Sequence, residues 1–284
     1  MYNYLDPWLK VTMPKPNQII QADVVEGLKE LPADSCQLII ADPPYGNVLV
    51  DQDWDTDLDD EAFLAWNGAW AQAALAKLKP DGLMYVFGQL GKREHRWIHL
   101  ASRLCEIGSF HDQLIWDRVV GYNERSDSFT PAYEICLVIK KTADALPYFD
   151  KDAVRIPYDD ATIAKYLKDK RYKDLDARRA HLEKGKYATN LLRVPSLKGS
   201  SREKVGHPSQ KPVRLIEMLV RSSTRKGDLV LDPFLGSGTT AVVCEKLARR
   251  WIGIERETEY CEIANKRIAR IGDRLERVTK HVSE

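Results

Sequence analysis

At positions 228–240 the chain reads Asp-Leu-Val-Leu-Asp-Pro-Phe-Leu-Gly-Ser-Gly-Thr-Thr, an apolar strand-like run that passes through a turn with two glycines into a helix-like pattern. In an open α/β sheet, ligands lie beyond the carboxyl ends of the strands, and a glycine-rich turn lets the backbone approach them. Glu255 ends the next strand-like run, seventeen residues after Gly238. Because an acid about twenty residues after such a turn commonly meets ribose hydroxyls, the stretch predicts a nucleoside-binding turn.

The residues around this turn indicate which nucleoside it holds. A phosphate-binding loop would carry Gly-Lys-Ser or Gly-Lys-Thr, and a dinucleotide-binding fingerprint would carry a third glycine; the stretch has neither. Asp232, immediately before the turn, instead suits a ligand with positive charge, such as the ammonium and sulfonium groups of S-adenosylmethionine. The alternative is a tight strand-to-helix turn that holds no ligand.

A second segment, after the strand-like run at 37–41, reads Asp42-Pro43-Pro44-Tyr45. An exocyclic amine of a nucleobase must lose conjugation with its ring before it can donate its lone pair, and acceptors on its N–H groups favour that change. Asp42 offers a carboxylate, and the carbonyl of Pro43 is held rigid because Pro44 restricts it. Stacking on Tyr45, worth about 1–3 kcal/mol, would offset part of the few kcal/mol needed to rotate a base out of a duplex. The alternative is a Pro-Pro turn that caps a strand.

Strand-like and helix-like runs alternate along most of the chain. Seven runs rich in β-branched or aromatic residues predict strands at 17–22, 37–41, 83–87, 113–116, 133–139, 228–231 and 251–254. Six helix-like runs lie at 24–31, 60–78, 93–105, 212–222, 239–248 and 258–271. This alternation predicts an α/β fold with a doubly wound, mostly parallel sheet covered on both faces. Only 113–116 and 133–139 have no helix between them, which predicts an antiparallel hairpin at one edge.

The second of these helices carries clear end signals. Asp59 or Asp60 can cap its start, and the turn chemistry of Lys-Pro-Asp-Gly at 79–82 is expected to stop it. Trp66 and Trp70 lie four residues apart on one face of the helix, a spacing more typical of a core stripe than of a ligand contact.

The alternation fails between Thr142 and Gly206, where the charge density rises. A chain of 284 residues is long for one compact domain and short for two. We therefore expect one α/β core, formed by residues 1–141 and 207–284, with residues 142–206 inserted into it.

Charge is segregated along a chain whose net charge is only +1. The run Lys165–Lys186 holds nine bases against four acids, whereas 51–61 holds seven acids and no base. Because the chain is not basic in bulk, a nucleic-acid surface must come from such local runs. The residues expected to contact DNA are Lys168, Lys170, Arg171 and Lys173 in the basic run and Asn123 and Arg125 in the loop after 113–116. The alternatives are a solvated face and a plain hairpin connection.

Other features exclude several classes of protein. The five cysteines are odd in number, widely spaced and free of any Cys-x-x-Cys, which argues against a disulfide frame and a zinc site. His95 and His99 lie four residues apart, but no third ligand is evident, so no metal is expected. No apolar run approaches the roughly 18 residues of a membrane span, and the start lacks the regions of a signal peptide. A cytoplasmic protein without membrane contact is expected.

Together the two motifs resemble those of the DNA amino-methyltransferases that modify adenine N6 or cytosine N4, specifically the permuted group in which Asp-Pro-Pro-Tyr precedes the glycine turn. The resemblance covers about residues 17–140 and 204–270. Three further segments are similar to family elements: Asn-Gln-Ile-Ile-Gln-Ala-Asp at 17–23, His-Pro-Ser-Gln-Lys-Pro at 207–212 and Trp-Ile-Gly-Ile-Glu at 251–255. The family implies a seven-stranded sheet with one antiparallel strand, and 142–206 corresponds to its variable target-recognition region.

The resemblance also implies a role for each matching residue. The target base would be held by the catalytic tetrapeptide, Asp42, Pro43, Pro44 and Tyr45. Asp23 would bind the adenine of S-adenosylmethionine and Glu255 its ribose. Its carboxylate would lie at Lys211 and the helix start at Pro212, as suits an anion at a helix N-terminus. The other implied cofactor contacts are Asp42, His207, Asp232, Phe234, Gly236, Ser237, Gly238 and Thr239.

The implied activity is sequence-specific methylation of a flipped base in double-stranded DNA, as in restriction-modification systems, by a protein of a family whose members often form homodimers. Aspartate at the start of the tetrapeptide favours adenine N6, since Ser-Pro-Pro is the commoner cytosine-N4 form in this group; cytosine N4 is the alternative. A methyltransferase for RNA or protein glutamine would usually carry Asn-Pro-Pro-Tyr. A catalytically silent DNA-binding partner would tend to lose the tetrapeptide or the glycine turn, and this chain has both.

Overall fold

A computed structural model describes residues 12–46, 58–89, 94–122, 124, 126–169, 171 and 173–282 of the chain. Eight strands form one sheet: β1 Gln18–Gln21, β2 Cys36–Ala41, β3 Leu78–Gly88, β4 Ser109–Asp117, β5 Tyr133–Lys140, β6 Leu191–Arg193, β7 Leu229–Asp232 and β8 Arg250–Glu255. The helices are α1 Val24–Lys29, α2 Asp60–Lys77, α3 Glu94–Ile107, α4 Asp160–Leu167, α5 Leu175–Glu183, α6 Val213–Ser223, α7 Thr239–Leu247 and α8 Thr258–Val282.

The strand order is β1-β8-β7-β2-β3-β5-β4-β6, and only β5 runs against its neighbours. The predicted α/β class, the mostly parallel sheet and the antiparallel pairing of 113–116 with 133–139 are therefore confirmed. The expected count of seven strands is wrong by one. The eighth strand, β6, pairs in parallel with β4, so that β6 and not the hairpin forms the edge. Its three residues, of which only the middle one is buried, are too few to give an alternating pattern.

The central strands are apolar because helices cover both faces of the sheet. All six residues of β2 and all four of β7 are buried. One apolar layer surrounds Trp70 of α2, and the other surrounds Leu215 of α6. The core thus fixes β2 and β7 as adjacent strands in the middle of the sheet.

The start of α2 agrees with its sequence signals, but its end does not. Asp59 caps the helix, since its carboxylate accepts a hydrogen bond of 2.7 Å from the amide of Ala62. The turn predicted at 79–82 lies instead inside β3, which begins directly after the helix. A Cβ atom at Gly82 would lie 2.8 Å from the carbonyl oxygen of Gln37. Glycine is therefore used here for the close approach of two strands and not for a turn.

The connections place the chemistry-bearing motifs at one rim. From β7 the chain crosses through α7 to β8, whereas from β2 it crosses through α2 to β3, on the other side. The crossover direction therefore reverses between β7 and β2, and in such sheets this reversal point at the carboxyl ends of the strands is where ligands bind. Asp42 follows the last residue of β2, and Asp232 is the last residue of β7.

Residues 142–206 contribute α4, α5 and β6. The segment is attached near its start by a hydrogen bond of 2.9 Å from the Tyr148 amide to the Asp81 carbonyl and one of 2.7 Å from the Asp150 amide to the Ser222 carbonyl. Among the residues that the structure describes, no helix is long and apolar enough to cross a membrane.

Candidate active site

The glycine turn between β7 and α7 has a backbone that other residues would strain. Gly236 and Gly238 have φ angles of +49° and +77°, in the left-handed region that favours glycine. A Cβ atom at Gly236 would lie 3.0 Å from Nε2 of His207, and one at Gly238 would lie 2.9 Å from the Cβ of Ala264. The turn is therefore closed in by α8 on one side and by the segment before α6 on the other.

A cavity of about 950 Å³, which we call the first cavity, opens beside this turn. Two aromatic rings in its wall, those of Trp66 and Phe234, have centroids 5.9 Å apart, and Phe234 meets the buried ring of Trp70 edge-on at 5.0 Å. The expected core stripe is confirmed, since Trp70 is buried in the core and the partly buried Trp66 packs against the same core. Trp66 also lines the cavity. A flat apolar ring of a ligand would find matching walls here.

Five acidic residues also line the first cavity, and they are Asp23, Asp42, Asp232, Glu255 and Glu257. Asp23 caps α1 by accepting a hydrogen bond of 2.9 Å from the amide of Val25. Glu255 accepts 2.8 Å hydrogen bonds from the amides of Gly236 and Glu257, which fix both of its oxygens. Acceptors held in this way suit ligand hydroxyl and amino groups.

Burial perturbs the acids of the first cavity. It raises the pKa of Asp232 to about 7, an effect only partly offset by the hydrogen bonds that the carboxylate accepts from Thr240 and from the amide of Phe234. Burial likewise raises the pKa of Glu255. Because a cation beside a buried carboxylate favours its ionised form, a positively charged ligand group would relieve the cost that burial imposes on Asp232.

A second cavity, of about 990 Å³, lies next to the first. All four residues of the tetrapeptide line it, together with aromatic and charged side chains from β4, β5 and the loop between them: Trp116, Arg118, Tyr122 and Glu134. The two cavities share five lining residues, which are Asp42, Pro44, Ser209, Gln210 and Lys211. The tetrapeptide and the glycine turn therefore border one continuous site, with Asp42 at the boundary between its two parts.

A buried charged network occupies this boundary. The Lys211 ammonium lies 2.6 Å from Oδ2 of Asp42 and 3.2 Å from Oε2 of Glu134. The Tyr45 hydroxyl donates a hydrogen bond of 2.6 Å to Oδ1 of Asp42 and lies 3.3 Å from Oε2 of Glu134. Arg118 lies 3.1 Å from the other oxygen of Glu134. Two cations thus face two carboxylates in a site where Lys211 and Glu134 are almost fully buried.

The network sets the protonation of its members. Burial lowers the pKa of Lys211, but the carboxylates of Asp42 and Glu134 raise it by more, so that the amine stays charged at neutral pH. Burial and the same two carboxylates raise the pKa of Tyr45 well above its ordinary value, so that the phenol stays neutral. Burial lowers the pKa of His207 to about 4, which leaves its imidazole neutral against the ring of Tyr260, at 4.4 Å.

The structure brings most of the expected site residues together. The residues expected at the cofactor that line the first cavity are Asp23, Asp42, His207, Lys211, Asp232, Phe234, Gly236, Ser237, Thr239 and Glu255. Pro212 caps α6 one position before the helix, and Gly238 caps α7; neither is among the residues that line the two cavities. Lys211 contacts Asp42 and Glu134, and its expected role at a ligand carboxylate stays a prediction.

The expected DNA contacts are only partly visible. Asn123, Arg125 and Lys170 lie outside the residues that the structure describes. Lys168 and Lys173 lie between α4 and α5, as does Arg171, which is paired with Asp169 at 2.6 Å. None of the three described residues lines either cavity, so their contact with DNA stays a prediction.

Sequence reasoning missed Glu134, and it gave no role in the site to Gln210, Tyr122 or Tyr260, which line the cavities. Glu134 did leave a signal, because it is the one acid in the otherwise apolar run of β5. A lone acid in a buried strand must be paired, which is a reason to search for its partners. Gln210, Tyr122 and Tyr260 gave no such signal, because their positions at the cavities depend on the fold.

His95 and His99 contact each other, and His95 also contacts a further side chain of the protein. His95 is hydrogen-bonded at 2.7 Å to the carboxylate of Asp60, and His99 meets the His95 ring at 6.0 Å. Within the described ranges no group of three histidine, cysteine or acidic side chains is arranged to hold a metal ion.

Comparison with known proteins gives consistent relatives. A family model for N6/N4 methyltransferases, described as DNA methylase, matches residues 36–266. The type II methyltransferase M1.MboII of Moraxella bovis is 30% identical over 255 residues, which cover 88% of this chain and 95% of that protein. A crystal structure of the M1.HpyAVI–SAM complex has 27% identity and a TM-score of 0.59, with 88% of this chain and 98% of that one covered. The cytosine-N4-specific PvuII DNA methyltransferase shares the fold at 21% identity and a TM-score of 0.66, over 93% of both chains.

Proposed function

Because the chain belongs to the N6/N4 DNA methylase family and is an S-adenosylmethionine-dependent DNA methyltransferase, we propose that its target atom is the exocyclic N6 of adenine. The position of Asp42 supports transfer to an exocyclic amine, and aspartate at the start of the tetrapeptide favours adenine by resemblance. Its carboxylate stands at the boundary between a cavity suited to a nucleoside and a cavity with aromatic walls. A donor in the first cavity and a base in the second would meet there.

In the first cavity, we assign the adenine of the cofactor to the acceptor of Asp23 and the aromatic wall of Phe234 and Trp66. Glu255 would accept hydrogen bonds from the ribose hydroxyls, since two backbone amides hold its carboxylate in place. Asp232 would compensate the positive charge of the methionine part. When bound, S-adenosylmethionine supplies a methyl group on a sulfonium centre, which is a good leaving group.

In the second cavity, Asp42 and the Pro43 carbonyl would accept hydrogen bonds from the two N–H groups of the target amine. These acceptors draw the amine out of conjugation with the base and direct its lone pair at the methyl group. The Tyr45 hydroxyl donates a hydrogen bond of 2.6 Å to one oxygen of Asp42. The proton lost by the methylated amine would pass to Asp42. Catalysis then rests on positioning and electrostatics.

The same cavity supports base flipping. A base inside a duplex is out of reach of a buried carboxylate and must be rotated out of the stack, at a cost of a few kcal/mol. The rings of Trp116, Tyr122 and Tyr45 line the second cavity, and stacking on one aromatic ring is worth about 1–3 kcal/mol. We propose that the flipped base is held among these rings.

The adenine assignment rests on the resemblance: the tetrapeptide begins with Asp42, whereas Ser-Pro-Pro is the commoner cytosine-N4 form in this group. We further propose that residues 142–206 form the target-recognition region, with duplex DNA contacted by the basic run at 168–173 and by Asn123 and Arg125. A role in a restriction-modification system is proposed from the type II methyltransferase among its relatives. A homodimer and a cytoplasmic location remain proposals from the resemblance and the sequence.

The target base is identified by incubating duplex DNA of mixed sequence with the protein and isotopically labelled S-adenosylmethionine, followed by mass spectrometry of the nucleosides. We expect labelled N6-methyladenine. Labelled N4-methylcytosine without N6-methyladenine would replace the adenine assignment by the cytosine one. Asp42→Ala, assayed in parallel, is the control for contaminating methyltransferase activity.

A further inference from the structure

Glu134 lies at the centre of the buried network, although the sequence predicted no role for it. The residue lies on β5, and 6% of its side chain is exposed. One of its oxygens, Oε2, is 3.2 Å from the ammonium of Lys211 and 3.3 Å from the hydroxyl of Tyr45. The other, Oε1, is 3.1 Å from the guanidinium of Arg118.

Two of the three donors that touch Glu134, Lys211 and Tyr45, also hold Asp42. Lys211 and Tyr45 each lie 2.6 Å from an oxygen of Asp42. The network therefore contains two carboxylates that share two donors, at short distance on the Asp42 side and at longer distance on the Glu134 side. Small rotations of the two donors would reverse this order.

We propose that Glu134 is a positioning residue for methyl transfer. Its carboxylate accepts the hydrogen bonds of Lys211 and Tyr45 when the carboxylate of Asp42 turns to the target amino group. The inference rests on the proposed function, since it assumes that Asp42 accepts a hydrogen bond from that amino group. Arg118 keeps Glu134 in position from the opposite side. Glu134 itself touches neither the base nor the reacting atoms in this account.

The surroundings of Lys211 explain why a second acceptor is needed. Its ammonium is enclosed by the rings of Phe87, Tyr45 and Trp116, whose centroids lie 5.2, 5.6 and 5.7 Å away, and 8% of the side chain is exposed. Water has little access, so a cation released by Asp42 must find another anion inside the protein. Glu134 is the carboxylate within reach among the described residues.

Glu134 also shapes the titration of the network. Burial lowers the pKa of Lys211 and raises the pKa of Tyr45, and the negative charges of Asp42 and Glu134 raise both. Other groups that face these charges are Arg118, Tyr122, Cys136, His207 and Asp232. Burial raises the pKa of the Cys136 thiol well above its ordinary value. Removal of the Glu134 charge should therefore lower the pKa values of Lys211 and Tyr45.

The test compares Glu134→Gln, which keeps the size of the side chain and removes its charge, with the parent protein in single-turnover methylation of duplex DNA. We expect the rate to fall by about tenfold or more, with the dissociation constants for cofactor and DNA changed by less than about threefold. The alkaline limb of the pH–rate profile should move to lower pH. Glu134→Asp, which keeps the charge, should keep the parent's profile, and the exposed Glu106→Gln is the matched control.

A double variant separates this role from simple charge balance. If Glu134→Gln is slow only because Arg118 is left unpaired, the variant with Arg118→Gln added should recover the parent rate, and that recovery would overturn the proposal. We expect the double variant to stay slow. A Glu134→Gln rate within about twofold of the parent, with an unmoved pH profile, would overturn it as well. The methylated nucleoside is identified in the same samples, so that a wrong target base is recognised independently of the rate.

Discussion

The ammonium of Lys211 lies 2.6 Å from Oδ2 of Asp42, a residue 169 positions earlier in the chain. This contact joins the segment that precedes α6 to the segment that follows β2. It lies at the boundary between the two cavities, and it places a positive charge against the carboxylate that we assign to the target amino group. Disruption of the pair should therefore change both stability and activity.

Lys211→Met should strongly destabilise the protein. The change leaves the carboxylates of Asp42 and Glu134 facing each other in a buried site, and removal of one partner from a buried ion pair commonly costs about 3–5 kcal/mol. Urea unfolding at pH 8 measures the loss. Lys266→Met, which removes a surface ammonium with 72% of its side chain exposed and a carboxylate 3.4 Å away, should cost less than about 0.5 kcal/mol. Equal losses in the two variants would contradict a buried network at Lys211.

Asp232→Asn should stabilise the cofactor-free protein, but only at the higher pH values. Burial raises the pKa of Asp232 from 3.8 to about 7, so the folded protein holds this proton more tightly than the unfolded chain does. The free energy of unfolding therefore falls as the pH rises between these two values. Asparagine carries no titrating proton, and its advantage should be absent below the lower pKa and complete above the higher one. It should reach a few kcal/mol, because one pKa unit is worth about 1.4 kcal/mol.

Melting temperatures of Asp232→Asn and the parent protein, measured without cofactor from pH 5 to pH 9, check this dependence. The same variant should bind S-adenosylmethionine more weakly at pH 8, because it has lost the charge that we assign to the cation. A difference in melting temperature that does not vary with pH would show that Asp232 has an ordinary pKa.

Two glycines with similar backbones but different surroundings separate strain from packing. Gly238 has a φ of +77° and would bring a Cβ atom to 2.9 Å from Ala264, whereas Gly227 has a φ of +81° and nothing within 4 Å of such an atom. Gly227→Ala should cost about 1–2 kcal/mol from backbone strain alone. Gly238→Ala should cost about 1–3 kcal/mol more, because α8 is overpacked. Chemical denaturation measures both, and equal costs would mean that α8 does not close on the turn.

Replacement of Lys168, Lys170, Arg171 and Lys173 by glutamine should weaken DNA binding and its dependence on salt. Each phosphate contact contributes about 0.9 to the slope of log affinity against log salt concentration, so loss of several contacts should lower the slope by several such steps. Fluorescence anisotropy of a labelled duplex at a series of salt concentrations measures it. The matched control replaces four exposed basic residues on other helices, Lys29, Arg103, Lys246 and Lys266. An unchanged slope in the first variant would place the DNA elsewhere.

Much of the fold followed from patterns that are local in sequence. The seven predicted strands and six predicted helices are all present, because each carries either a continuous apolar run or an apolar period. The strand β6 could not be predicted, since three residues carry no period and its place at the edge depends on β4. The prediction of a turn at 79–82 was wrong for a related reason. Glycine is typical of turns, but the role of Gly82 depends on the carbonyl of Gln37, which is distant in sequence.

The site could be predicted where its functional residues are consecutive in the sequence. The tetrapeptide from Asp42 and the glycine turn around Gly236 are such segments, and both border the first cavity. Glu134 and Trp66 could not be assigned from sequence, because their roles arise from neighbours far along the chain. The contact of Lys211 with Asp42 has the same origin: it depends on the adjacency of β2 and β7, and no spacing in the sequence encodes it.

In the proposed function, Asp42 serves the target base and the residues around the glycine turn hold most of the cofactor. Asp42→Ala tests this assignment most directly, with methyl transfer measured in a single turnover and S-adenosylmethionine binding measured by calorimetry, against Asp112→Ala as a control on β4. We predict that methyl transfer falls by a factor of about 10² to 10⁴ or more, while the cofactor dissociation constant rises by less than about fivefold. Parallel loss of turnover and cofactor affinity, or turnover close to that of the parent, would contradict the account.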